Sequence, residues 1–172
     1  MIEVPSILTR LTRRIKFVAK PKTVLFIVGF WRSGTTLLTD VLGRSQEIRA
    51  FHESSKRAYN QDFRIHSNDV LEMLMHQVRE PWVVFKPLND AHKINDLMRI
   101  HDNSKAIWIY RNFKDVINSS ERKWPGWMKG IIEAVVNNNH MHDIDDALAD
   151  GISAEALEVA ARFCKQGISN AD

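Results

Sequence analysis

Residues 23–43 read TVLFIVGFWRSGTTLLTDVLG, and three successive patterns within them set the fold. Thr23–Gly29 is an unbroken apolar, β-branched run, as expected of a central parallel strand buried on both faces. It is far too short to span a bilayer. A glycine-flanked polar stretch follows. From Thr35 to Leu42 the apolar residues Leu37, Leu38, Val41 and Leu42 then recur at helical spacing, and Gly43 is placed to end the helix. The unit is strand, loop, helix.

The same alternation continues outward. Ile48–Phe51 reads as a short second strand, and residues 52–66 form a polar loop without periodicity. Ser67 stands where it can cap a helix whose Val70, Leu71, Leu74, Met75 and Val78 share a face, with Pro81 to stop it. Trp82–Phe85 is another apolar strand leading into Lys86 and Pro87. A short helix is expected around Ile94, Leu97 and Met98, then a strand over Lys105–Tyr110 and a helix over Lys114–Lys123. Strands alternating with helices imply an α/β fold with a parallel sheet, whose ligands sit at the carboxyl ends of the strands. Beyond Trp127 the pattern is helical only: Ile131–Val136, then a helix capped by Ser153 that gathers Leu157, Ala160, Ala161 and Cys164.

Bulk properties narrow the class. A chain of 172 residues with 44% apolar content can bury one sizeable core. The expected organisation is a basic amphipathic arm over residues 1–22 and one α/β domain over residues 23–172. The single cysteine, Cys164, allows no internal disulfide, so a cytoplasmic location fits. Of a formal net charge of +3, residues 1–22 hold +5 and the remainder −2. The arm reads as a solvated or core-capping amphipathic helix, with peripheral contact to an anionic membrane as its alternative use. Its cations are interleaved with apolar residues, unlike a secretory signal. No basic stripe with aromatics recurs along the chain, which argues against a nucleic-acid partner.

Gly29, Phe30, Trp31, Arg32, Ser33, Gly34, Thr35 and Thr36 have the spacing of a Walker A loop, G-x-x-x-x-G-K-[ST], with Thr35 in place of the lysine. Successive backbone amides followed by a helix N-terminus surround an anion with donors whether or not the lysine is there. A phosphate is therefore expected. The missing lysine is the one that reaches the outer phosphates of a nucleoside triphosphate, and the later strands lead to Lys86 and Arg111 rather than to an aspartate that could hold magnesium. Arg32 supplies a permanent cation inside the loop instead.

Arg32-Ser33-Gly34-Thr35-Thr36-Leu37-Leu38 resembles the 5′-phosphosulfate loop of the sulfotransferase family, which uses 3′-phosphoadenosine 5′-phosphosulfate as co-substrate. The resemblance covers about residues 21–123 and implies a P-loop-type parallel sheet flanked by helices, with no metal required. By it, Arg32, Ser33, Gly34, Thr35, Thr36 and Leu37 would bind the donor's 5′-phosphate. The family's 3′-phosphate motif is an arginine at a strand end with a serine eight residues on. Arg111 and Ser119 are similar, with Phe113 where a proline is usual.

Sulfuryl transfer requires alignment of acceptor and leaving group, charge stabilisation on the leaving oxygen and removal of the acceptor's proton. The resemblance gives Arg32 and Lys86 to the reacting centre and offers a glutamate or a histidine as base. Glu53 is preferred by likeness to the carbohydrate-type branch, and His52 is its rival on intrinsic basicity. The acceptor would be a hydroxyl or amine of a carbohydrate or lipid. Two alternatives stand beside this reading, a P-loop kinase or NTPase and a non-catalytic nucleotide-binding remnant, because the usual C-terminal part of the family has no counterpart in residues 131–172. His140, His142, Asp143, Asp145 and Asp146 read as a solvated turn rather than a metal site, and Trp124–Trp127 as an aromatic corner.

Overall fold

The computed structural model describes residues 22–136 and 153–166. They fall into two compact units, one within residues up to Phe30 together with Gly34–Ile109, the other made of Trp31–Ser33 with residues from Tyr110 onward. The basic arm before Lys22 and the segment containing His140 and Asp146 lie outside the described residues.

The first unit is an α/β sheet of four parallel strands, β1 (Thr23–Gly29), β2 (Ile48–Phe51), β3 (Trp82–Phe85) and β4 (Ser104–Ile109), in the order β2-β3-β1-β4. β1 is central and every one of its residues is buried, as its continuous apolar run implies. The period of two divides its side chains between two cores. Leu25 and Ile27 join Val84 beneath Leu38 and Leu42 of helix α1 (Thr35–Gly43). Val24 and Phe26 join Val83, Phe85 and Phe51 on the other face, where helix α2 (Asn68–Gln77) contributes Leu71, Leu74 and Met75. Helix α3 (Ile94–Leu97) adds Leu97 to that layer.

Phe85 sits at the middle of this second core, with its ring 5.8 Å from Phe26 and 5.5 Å from Phe51, both stacked. The opposite edge differs. β4 leaves Trp108 61% and Ile107 39% exposed. The strand is where the apolar run places it, starting and ending one residue early.

The ends of α1 and α2 show how local chemistry meets the sequence expectation. Gly43 closes α1 as its last helical residue and not as a left-handed cap. A Cβ there would stand 3.3 Å from that of Ala50, so the glycine serves a close approach of helix to β2. Ser67 occupies the cap position of α2 without a side-chain capping bond, and α2 stops at Gln77, four residues before Pro81, because Val78 turns to extended backbone.

The second unit holds helices α4 (Phe113–Lys123), α5 (Trp127–Val136) and α6 (Ala154–Gln166). Asn112 caps α4 by accepting from the amide of Lys114, 3.0 Å away. The Ser153 hydroxyl accepts from Ala156 at 3.1 Å, the cap that its position implied. Glu121 braces the corner between α4 and α5. Its two carboxylate oxygens accept from the amides of Gly126 and Met128 at 2.9 and 3.1 Å. Among the described residues no helix is long and apolar enough to cross a membrane.

Removing the ring at the centre of the stacked phenylalanines leaves a cavity that the sheet cannot close. Phe85→Ala should lower unfolding stability by about 3–5 kcal/mol, read as a fall in the urea midpoint with an unchanged slope.

Candidate functional site

The candidate residues assemble into two clusters, one in each unit. In the first unit, the carboxyl ends of β1, β2 and β3 deliver Gly34–Thr36, His52–Glu53 and Lys86 respectively. Gly34 takes φ of +105°, a left-handed conformation that a side chain would strain, and it stands at the cap position of α1 with no side-chain capping bond and no acidic residue in the first turn. The leading amides of α1 are therefore not claimed by a side-chain cap, which is what an anion at a helix N-terminus needs. Thr35 is buried, and Thr39 donates its hydroxyl to the Thr35 carbonyl at 2.9 Å. Leu37 is 69% exposed.

Lys86 is fully buried at the end of β3. Its ammonium donates to the Thr36 hydroxyl at 2.8 Å and pairs with the carboxylate of Glu53. The loop lacks the lysine of a Walker A sequence, and a lysine from a neighbouring strand brings an ammonium to the same end of α1. A magnesium-dependent loop uses this threonine position to hold the metal. Here the hydroxyl already has a cation.

His52 faces α1 as well. Its Nε2 lies 3.3 Å from a carboxylate oxygen of Asp40. Asp40 is a neighbour of the candidate residues that sequence reading missed. Its spacing of four from Thr36 was the available signal, since residues i and i+4 share a helix face.

The loop carrying His52 and Glu53 is tied down from beneath. The buried Tyr59 hydroxyl accepts from the Lys86 amide at 2.7 Å and donates to the Phe51 carbonyl at 3.4 Å. At the loop's far end, buried Asp90 accepts from the amide of Ile65 at 2.7 Å and from Arg64 at 3.3 Å, with Lys93 at 3.6 Å.

In the second unit, Arg32 Nε donates to the Ser119 hydroxyl at 3.1 Å, and Arg111 donates to the Arg32 carbonyl at 3.0 Å. The structure thus brings together the loop cation and both residues of the strand-end pattern, 79 and 87 positions apart in sequence. Arg32 has φ of 63°. For a non-glycine residue this is a sparsely populated conformation of the kind that clusters at functional sites. Its guanidinium also lies 5.8 Å from the Trp124 ring centre. Trp124 packs on Trp127 at 5.3 Å and Trp127 meets Trp31 edge-on at 5.0 Å, so the aromatic corner backs the loop. Ser33 is buried. Arg111 also lines an open cleft of about 410 Å³ with Asp115, Asn118, Glu121 and Arg122.

Among the described residues no group of three or more His, Cys, Asp or Glu side chains is placed to hold a metal ion. Set against known protein-family models and curated proteins, the chain matches none.

Burial pushes the Tyr59 phenol above its ordinary value of 10.0; the Lys86 amide opposes this and the Glu53 and Asp90 carboxylates add to it. The folded chain then keeps a proton that the unfolded chain loses above pH 10, so stability should fall as pH rises beyond that point. Tyr59→Phe should cost about 1–3 kcal/mol at neutral pH, because the buried Lys86 amide is left unpaired. The variant should also show a shallower alkaline decline in urea denaturation measured between pH 8 and about 11.

Proposed function

We propose that the chain binds 3′-phosphoadenosine 5′-phosphosulfate and transfers its sulfuryl group to a hydroxyl or amine of a carbohydrate or lipid acceptor. The observation that carries this reading is the contact set of Arg32 with Ser119 and Arg111. Two guanidiniums and a buried serine suit phosphate oxygens, since arginine offers planar paired donors and stays charged at any working pH. In this reading Arg32, Ser33, Arg111 and Ser119 hold the donor's phosphates, and Gly34, Thr35, Thr36 and Leu37 contribute amides and hydroxyls at the start of α1.

The transfer is an in-line displacement at sulfur. The acceptor oxygen forms the new S–O bond, the bond from sulfur to the 5′-phosphate oxygen breaks, and the acceptor's proton passes to a base following β2. Charge grows on the departing phosphate oxygen, where fixed cations stabilise it most. Lys86 supplies such a charge through Thr36, and its place on that hydroxyl favours chemistry without magnesium. The same contact weighs against a kinase or NTPase reading.

Calorimetric titration with 3′-phosphoadenosine 5′-phosphate in chelator should give saturable binding, and ATP with magnesium should bind more weakly. Arg32→Ala and Arg111→Ala should each lower bisphosphate affinity about 10- to 100-fold, the worth of one or two charge-assisted hydrogen bonds. Unchanged affinity in both variants, or stronger binding of magnesium ATP, would overturn the donor assignment.

A further inference from the structure

Along one face of α1, one turn apart, stand Thr36 and Asp40, and each meets a residue from a strand end. Thr36 meets Lys86, which is committed to Glu53. Asp40 meets His52. Adjacent residues of one loop thus receive opposite electrostatic treatment: the carboxylate of Glu53 is matched to a fully buried ammonium, and the imidazole of His52 to a carboxylate.

These pairings assign different work to the two candidate bases. A proton placed on Glu53 would leave the Lys86 charge buried without its counter-ion, and a stranded buried charge is among the costlier defects a protein can hold. A proton placed on His52 creates an imidazolium next to Asp40, which a neighbouring carboxylate stabilises. Asp40 can only accept, so a hydrogen bond closing across this contact would favour the neutral tautomer with its hydrogen on Nε2, leaving the Nδ1 lone pair for the acceptor's proton. The 3.3 Å separation is long for a finished hydrogen bond, as expected of a catalytic pair before substrate arrives.

We propose that His52 is the base of the transfer, taking the acceptor's proton on Nδ1, and that Asp40 is its positioning residue while Glu53 serves as counter-ion to Lys86. This rests on the sulfotransferase reading above. As the acceptor oxygen bonds to sulfur and the 5′-phosphate oxygen departs with the S–O electron pair, the acceptor proton passes to Nδ1, giving a sulfate ester, the 3′,5′-bisphosphate and an imidazolium. The side chain of His52 is about one-third exposed, so the proton then leaves to solvent. Asp40 of α1 is the charged group in contact with the imidazole, while Glu53, the next residue of the loop, is paired with Lys86 at the end of β3. Because α1 also opens the phosphate loop, one helix fixes both the anion's donors and the base's orientation.

The test uses the full chain in two measurements. Histidine NMR with the ring nitrogens labelled, recorded with bound 3′-phosphoadenosine 5′-phosphate, should show neutral His52 as the Nε2–H tautomer in the wild type. Asp40→Asn should shift it toward a mixture, and Asp40→Glu should restore it. An Nδ1–H tautomer, or one indifferent to residue 40, overturns the role of Asp40 without touching the donor assignment.

Transfer from radiolabelled donor to a panel of disaccharides and a long-chain alcohol supplies the second readout. Asp40→Asn should lower kcat about 10- to 100-fold with bisphosphate affinity unchanged, and Asp40→Glu should restore it. His52→Gln should lower kcat about 100-fold or more. Loss of transfer in Glu53→Gln, with kcat unchanged in both Asp40→Asn and His52→Gln, returns the base to Glu53. A wild-type chain that binds the bisphosphate and transfers to nothing overturns the transferase reading, and with it any base, whatever the tautomer.

Discussion

The ammonium of Lys86 is the charge around which the first unit is arranged. It is wholly buried at the end of a central strand, and burying a charge is tolerable only if other groups close around it. Those groups are the Thr36 hydroxyl at the start of α1 and the Glu53 carboxylate after β2. The backbone amide of the same residue is held by Tyr59. One residue thereby fixes the relative position of three chain segments that leave the sheet at the same end. Neither partner can be moved alone, because each would then expose the cost that the others offset.

This arrangement also alters how the glycine loop should be understood. In a loop that handles nucleoside triphosphates, the lysine belongs to the loop and the following hydroxyl carries a metal. Here the cation comes from another strand and rests on the hydroxyl itself. Arg32 carries a second positive charge within the loop sequence, in contact with Ser119 and reached through its carbonyl by Arg111. Each unit thus holds its own fixed positive charge, Lys86 in the first and the paired arginines in the second.

Much of this was legible in the sequence, for identifiable reasons. β1 announced itself because seven consecutive apolar or β-branched residues have few other homes, and the loop because glycines at that spacing follow a strand and open a helix. Arg32, Arg111 and Ser119 were singled out by the resemblance, and what the structure adds is that their groups meet. What sequence could not give is partnership across segments. Lys86 was given to the reacting centre by the resemblance alone, and nothing local says that it folds inward to Thr36. Asp40 appeared only as a polar residue on an apolar helix, since its meaning depends on how α1 lies over the end of β2. Gly43 does end α1, by close packing against β2, whereas Ser67 stands at the cap of α2 without a capping bond and the backbone turns at Val78, before Pro81 is reached.

The left-handed backbone of Arg32 ties evolutionary fate to use. Holding a branched-out side chain at that φ costs roughly 1–3 kcal/mol relative to a residue at ease there, a sizeable share of what a domain of this size has to spare. Glycine or asparagine at position 32 would recover much of it. A lineage in which anion binding had ceased to matter would be free to drift to either, and would gain stability by doing so. On the function proposed above, the residue found at position 32 among descendants of this chain is a record, written in one codon, of whether the loop is still in service.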